Sequence, residues 1–155
     1  MEASSSARAG AGTGRSLAQT FCLAVGIVLI LVGIIGFLIG GDGTSFAVGE
    51  AVQGDQLIVF EVNGWHNIVH ILSGVFLVAM ASRPSTAVTG ALIFGAVYVV
   101  VTIWGFIAVD NVLFIAPINL ADNLLHLALA ILGLAVGFSA RSGAAPGGAA
   151  AGGPA

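Results

Sequence analysis

The segment FCLAVGIVLILVGIIGFLI runs from Phe21 to Ile39 and contains no charged residue. At about 1.5 Å per residue, a helix of this length crosses most of a hydrocarbon layer roughly 30 Å thick. The run is longer than the apolar region of a signal peptide, and no convincing small-residue cleavage site follows it. We therefore predict a retained membrane span over residues 17–39.

Three further apolar stretches follow, and they are predicted as spans over residues 64–82, 86–109 and 121–139. Backbone polar groups in lipid must be satisfied within the segment, so helices are expected; these runs are too long and non-alternating for barrel strands. The sequence thus predicts an all-α integral membrane four-helix bundle over residues 16–140.

The remaining segments differ in composition from the spans. Residues 1–15 and 141–155 are rich in small residues and have nothing to bury, so disordered cytoplasmic ends are expected. A long outer loop over residues 40–62 contains DQLIVFEV, Asp55 to Val62, which predicts an interfacial or a short extended segment.

The composition also limits the function. Hydrophobic residues make up 58% of the 155 residues and charged residues only 7%, whereas soluble domains carry roughly a quarter charged residues. The lipid bilayer is therefore the expected partner, and the net charge of -3 without a basic patch argues against nucleic acid. No Ser/His/Asp triad, Walker motif or CxxC is present, so we predict that the protein is not an enzyme.

The four basic residues predict the orientation. Arg8 and Arg15 precede the first span, Arg83 separates the second from the third, and Arg141 follows the fourth. Because Lys and Arg are enriched in cytoplasmic segments, both termini and the middle connection are expected in the cytoplasm, with the protein in the cell membrane.

The chain also contains an internal repeat. NGWHNIVHILSG from Asn63 and NLADNLLHLALA from Asn119 match at two asparagines and one histidine, and the first and third spans share a Gly-Phe pair. A two-span unit returns to its starting side, so the pattern predicts two parallel tandem helical-hairpin repeats. The matched positions are Asn63/Asn119, Asn67/Asn123, His70/His126, Gly26/Gly95, Gly36/Gly105 and Phe37/Phe106.

These motifs resemble a family of actinobacterial four-span membrane proteins, domain of unknown function 4383. The resemblance covers roughly residues 17–140 and depends on the duplicated Asn-x-x-x-Asn-x-x-His signature together with the Gly-Phe pairs. It implies a four-span membrane protein and implies no activity.

One polar face accompanies each copy of the signature. Residues at i, i+3, i+4 and i+7 share a helix face, and polar groups in a membrane bundle are expected to point inward and find partners. This predicts a polar intramembrane cluster of Asn63, His66, Asn67, His70, Asn119, Asp122, Asn123 and His126.

Several roles for this cluster stay open. The two leading asparagines are natural N-caps, and the other residues suit interhelical hydrogen bonds. A zinc-like metal is a second hypothesis, with ligands His66, His70, Asp122 and His126. Haem between His70 and His126 is a third. A proton or small-solute pathway is a fourth, disfavoured because the cytoplasmic halves of the spans lack charge.

The sequence therefore predicts, first, a non-catalytic structural or partner-binding membrane protein without a cofactor, held together by its Asn/His faces. The alternative is a metal- or haem-binding membrane protein. A membrane-protein partner and a homo-oligomer are both open.

Overall fold

The computed structural model describes residues 14–108 and 110–143, and this part of the chain is mainly helical. It contains four α-helices, so the prediction of an all-α bundle is confirmed; they are α1 (Leu17–Leu38), α2 (Gly64–Met80), α3 (Pro84–Ala108) and α4 (Leu120–Gly143). Helix α4 continues beyond the predicted limit of 139, and Arg141 lies in its last turn. The prediction of disordered ends over residues 1–15 and 141–155 is wrong for residues 141–143, because they belong to α4, and residues 1–13 and 144–155 lie outside the described residues.

The first helix begins at a capping box. The Ser16 hydroxyl accepts a hydrogen bond from the Gln19 amide at 3.2 Å, and the Gln19 side chain accepts one from the Ser16 amide at 3.1 Å. The same Gln19 side chain donates to the carbonyl of Ala81 at 3.0 Å, just after the end of α2. One residue therefore both starts α1 and ties its beginning to the α2–α3 connection.

The helices pack mainly as two neighbouring pairs, α1 with α2 and α3 with α4. Small residues bring each pair close together. A Cβ added at Gly26 would lie 2.8 Å from the carbonyl oxygen of Gly74, and one added at Gly95 would lie 2.7 Å from the amide of Leu134. Close packing through glycine is typical of membrane helices.

Two short hairpins lie at the end of the bundle where α2 and α4 begin. In the first connection, β1 (Asp55–Leu57) pairs antiparallel with β2 (Phe60–Val62), after the short 3-10 turns Gly41–Thr44 and Gly49–Ala51. The DQLIVFEV segment thus forms two short extended strands joined by a turn. In the second connection, β3 (Asn111–Val112) pairs with β4 (Ala116–Pro117), a hairpin that the sequence did not indicate.

Among the described residues, three helices are long and apolar enough to cross a membrane: α1, α3 and α4. Helix α2 is apolar but has only 17 residues. At 1.5 Å per residue it is about 26 Å long, at the short end of what spans a bilayer. The predicted span over residues 64–82 is therefore shorter as a helix than expected.

Candidate functional site

The site is built at the beginnings of α2 and α4, where an asparagine caps each helix. The Asn63 side-chain oxygen accepts from the His66 amide at 2.9 Å, and the Asn119 side-chain oxygen accepts from the Asp122 amide at 3.1 Å. Both asparagines occupy the capping role expected from their spacing, and each satisfies an amide that the helix leaves unpaired.

Each capping asparagine also holds the hairpin of the other half of the chain. Asn63 Nδ2 donates to the carbonyl of Ile115 at 2.7 Å, in the turn of the second hairpin. Asn119 Nδ2 donates to the carbonyl of Val59 at 2.9 Å, in the turn of the first hairpin. The beginning of each of these two helices is therefore bonded to the hairpin of the other half of the chain. We call this cross-pairing the hairpin exchange.

Asp122 has a structural position beside this exchange. Its Oδ2 accepts from the Asn119 amide at 2.9 Å and from the Glu61 amide at 3.0 Å. The first bond completes a reciprocal cap at the start of α4, and the second ties strand β2 to that helix. One carboxylate oxygen of Asp122 is thus hydrogen-bonded to two backbone amides.

The Glu61 carboxyl lies near other acidic groups at this end of the bundle. Burial raises the pKa of Glu61, and the neighbouring Asp122 and Asp110 carboxylates raise it further. The rim of the site is therefore acidic, which favours cations over anions.

His66 is oriented by the same strand. Its Nδ1 lies 2.9 Å from the carbonyl oxygen of Glu61. Because a carbonyl can only accept, Nδ1 carries a proton in this contact, and the Pro117 carbonyl is a second backbone acceptor beside the ring. A hydrogen bond from one imidazole nitrogen to a backbone carbonyl orients the ring, as the outer partners of metal-bound histidines do.

Asn67 and Asn123 pack against glycines. A Cβ added at Gly36 would collide with the Asn67 side-chain oxygen, and one added at Gly105 would collide with that of Asn123. Asn67 Nδ2 donates to the carbonyl of Gly43 at 2.9 Å. The glycines of the repeated Gly-Phe pairs are thus the partners of the repeated asparagines.

The three histidines converge between α2 and α4. The ring centroids of His66 and His70 are 4.4 Å apart, and those of His66 and His126 are 6.0 Å apart. One ring nitrogen from each histidine lies within 4.8 Å of the other two. His66 and His126 are buried and His70 is partly buried. The spacing of four residues along α2 and the duplication together bring these rings to one point.

Two of these rings have unsatisfied nitrogens. Within residues 14–108 and 110–143, Nδ1 of His70 and Nδ1 of His126 are buried without a hydrogen-bond partner. An unpartnered buried polar atom costs about 1–3 kcal/mol, and a bound ion or water is a common reason for one. Of the four residues in the metal hypothesis, the histidines come together, whereas Asp122 is not in this group of converging ligand atoms.

A cavity of about 100 Å³ adjoins all three histidines. Ser73 and Tyr98 also line it, and the Tyr98 ring meets the His126 ring edge-on with centroids 5.3 Å apart. Strands β3 and β4 form part of its wall. Tyr98 was not among the residues predicted from the sequence, although it is the single tyrosine of the chain and lies in the middle of an apolar span.

A helical bundle with three apolar, membrane-length helices and a polar cluster at one end defines a membrane protein. Residues 19–139 match the family described as Domain of unknown function (DUF4383), and the chain belongs to that family. The family resemblance of the sequence motifs is thereby confirmed. Neither the curated proteins nor the solved structures contain a match to this chain.

Proposed function

We propose that this chain is a non-catalytic integral membrane protein that binds one transition-metal ion through His66, His70 and His126. The observation that carries the proposal is the convergence of three ring nitrogens within 4.8 Å of one another. The unpartnered, buried Nδ1 atoms of His70 and His126 support it independently.

The geometry and the donor type favour a zinc-like ion. Imidazole suits zinc, copper, nickel and iron, and zinc–nitrogen bonds are about 2.0–2.1 Å long. Two ligands of a tetrahedral zinc ion are then about 3.4 Å apart. Nitrogens within 4.8 Å of one another reach that separation by small side-chain movements.

A compact ion fits this cluster better than haem does. The cavity that adjoins all three histidines is about 100 Å³, and a second one, beside His70 and His126 only, is about 240 Å³. Both are smaller than the roughly 300 Å³ or more of pockets for drug-sized ligands.

The other polar residues support a structural role, although the hydrogen bonds they make join the helix beginnings to the outer connections and not, as predicted from the sequence, helix to helix. Asn63, Asn119 and Asp122 bond to backbone groups of the opposite half, and Asn67 bonds to the first outer loop. In this proposal they hold the two helix pairs together and so keep the histidines in place, without contacting the ion. A proton or solute pathway gains no support from these contacts.

We also propose the topology predicted from the arginines. Helix α2 would cross as a fourth span, both termini would face the cytoplasm, and the histidines would lie toward the outside of the cell membrane. The matched contacts Gly36–Asn67 and Gly105–Asn123 support two tandem hairpin repeats.

Metal analysis of the detergent-purified protein tests the proposal. The chain has only three histidines, so a tag without histidine keeps the background clean. After equilibration with zinc and removal of the excess, we expect about one ion per chain in the wild type, as a single site requires. The double variant His70→Ala/His126→Ala should retain none.

The control variant is Gln19→Ala, which removes the capping-box bond to the Ser16 amide and the bond to Ala81 at the opposite end of the bundle, but no ligand atom. It should lower the stability and keep the metal. A folded wild type without metal would refute the proposal, and so would metal that persists in the double histidine variant.

A further inference from the structure

We infer that the metal centre keeps one coordination position that opens to the bilayer, and that its ligand is a neutral, lipid-soluble molecule with one donor atom. The inference rests on the proposed metal site. It adds the chemical class of the exogenous ligand and the side of the bundle from which that ligand reaches the metal.

The first step is the number of protein ligands. Three histidines converge, while the nearby carboxylate of Asp122 is bonded to two backbone amides. Zinc-like ions take four ligands in tetrahedral sites, and a site with three protein ligands leaves one position for an exogenous molecule. The cavity that adjoins all three histidines provides the space for it.

The second step is where the cavity opens. Two lining residues on the helices are strongly exposed: Val69 on α2 is 45% exposed and Val97 on α3 is 52%, while Leu113, in the hairpin at the end of the bundle, is 55% exposed. Val97 lies eleven residues before the end of α3, about 16 Å along the helix. The opening between α2 and α3 is therefore at the depth of the hydrocarbon layer.

The third step is that the outer end of the cavity is covered. Val112, Ala116 and Ile118 line it from the second hairpin and the segment before α4, and all three are buried. The hydrogen bond from Asn63 Nδ2 to the Ile115 carbonyl, 2.7 Å long, holds the second hairpin in this position. These three buried residues close the outer end of the cavity, while the exposed lining residues Val69 and Val97 lie on the side of the bundle.

The lining then defines the ligand. Apart from the three imidazoles, Ser73 and Tyr98, the residues around the cavity are apolar. Transfer of an ion through such an opening is costly, whereas a neutral molecule with an apolar body passes from lipid without losing hydration. A cavity of about 100 Å³ accepts a small ring or a short chain.

Two matched probes test this inference on the full chain in phosphatidylcholine nanodiscs. The protein is loaded with cobalt(II), which replaces zinc and has visible absorption bands. The probes are 4-ethylpyridine, which is neutral and lipid-soluble, and 2-(pyridin-4-yl)ethanesulfonate, which has the same donor ring and a permanent negative charge. We expect 4-ethylpyridine to shift the cobalt bands and the sulfonate to leave them unchanged.

Two phenylalanine variants locate the opening. Val97→Phe narrows it, and we expect the half-saturating concentration of 4-ethylpyridine to rise about tenfold or more, equivalent to about 1.4 kcal/mol. Val100→Phe adds the same ring at an exposed position of α3 outside the cavity lining and should have no effect. The cobalt bands of both variants report that the site is intact.

The outcomes separate the two proposals. If cobalt does not bind, the proposed function fails and this inference fails with it. If cobalt binds but 4-ethylpyridine has no effect, or both probes act equally, the metal site stands and the lipid-facing position is refuted. Equal effects of Val97→Phe and Val100→Phe would also refute it.

Discussion

At the scale of single residues, the side chains of Asn67 and Asn123 explain why glycines occupy positions 36 and 105, since they leave no room for a Cβ there. Asn67 Oδ1 and Asn123 Oδ1 have no hydrogen-bond partner within the described part of the chain, and each lies against a glycine of the neighbouring helix. The sequence showed both halves of this pattern, because the glycines and asparagines recur at fixed positions. It could not show that they touch, because a contact between two helices leaves no spacing signal along one chain.

Replacement of Gly36 by alanine tests this contact. The three atoms nearest to an added Cβ all belong to the Asn67 side chain, so overpacking should lower the free energy of unfolding by about 1–3 kcal/mol. Unfolding in mixed detergent micelles measures the change. The double variant Gly36→Ala/Asn67→Ala has room for the new methyl group, so its loss should be smaller than the sum of the single losses. Strict additivity would contradict a direct contact.

At the scale of elements, the helices were predictable and the hairpins were only partly so. The apolar runs predict all four helices because a membrane-length run leaves few alternatives. The second hairpin carried no signal, since its turn contains Leu113 and Phe114 in the left-handed region, at φ 54° and 59°. Asparagine and glycine normally occupy such positions, so a sequence without them does not indicate a turn. Tertiary bonds from the helix caps hold these turns, and in the second one the Phe114 amide also donates to Asn111 Oδ1 at 3.1 Å.

The first hairpin turn offers a test of this backbone cost. Ile58 has φ 63° and is 83% exposed, so its side chain adds strain with little packing. We expect Ile58→Gly to raise the free energy of unfolding by about 1 kcal/mol, because glycine adopts this conformation without a Cβ clash. Val59→Gly is the control, since Val59 has no positive φ and should lose stability. Measured destabilisation by Ile58→Gly would mean that contacts of the isoleucine outweigh its strain.

At the scale of the whole molecule, the two halves are joined by an exchange that no local pattern contains. The duplication in the sequence aligns Asn63 with Asn119 and so predicts equivalent caps. It does not predict that each cap holds the hairpin of the other half, because that choice depends on how the pairs dock. The exchange also brings carboxylates together: Glu61 of the first half comes close to Asp122 and Asp110 of the second. The contacts between the hairpins and the helix beginnings therefore also produce charge repulsion between the two halves of the chain.

This repulsion predicts a pH dependence of stability. Burial, followed by Asp122 and Asp110, raises the pKa of Glu61 in the folded protein above its unfolded value, which is about 4.3. A raised pKa means that the folded state disfavours the charged carboxylate, so the cost is fully present above the folded pKa. Stability should therefore rise as the pH falls through the folded pKa toward the unfolded one.

Glu61→Gln isolates the contribution of this carboxyl. Because glutamine is neutral, the variant should be more stable than the wild type at neutral pH, and the difference should shrink as the pH falls toward the unfolded pKa. Thermal unfolding in detergent across mildly acidic to neutral pH measures it. Glu50→Gln, at an exposed position of the same loop, removes the same charge away from Asp122. If both variants shift the unfolding midpoint equally at every pH, net charge explains the effect, and the contact between the halves does not.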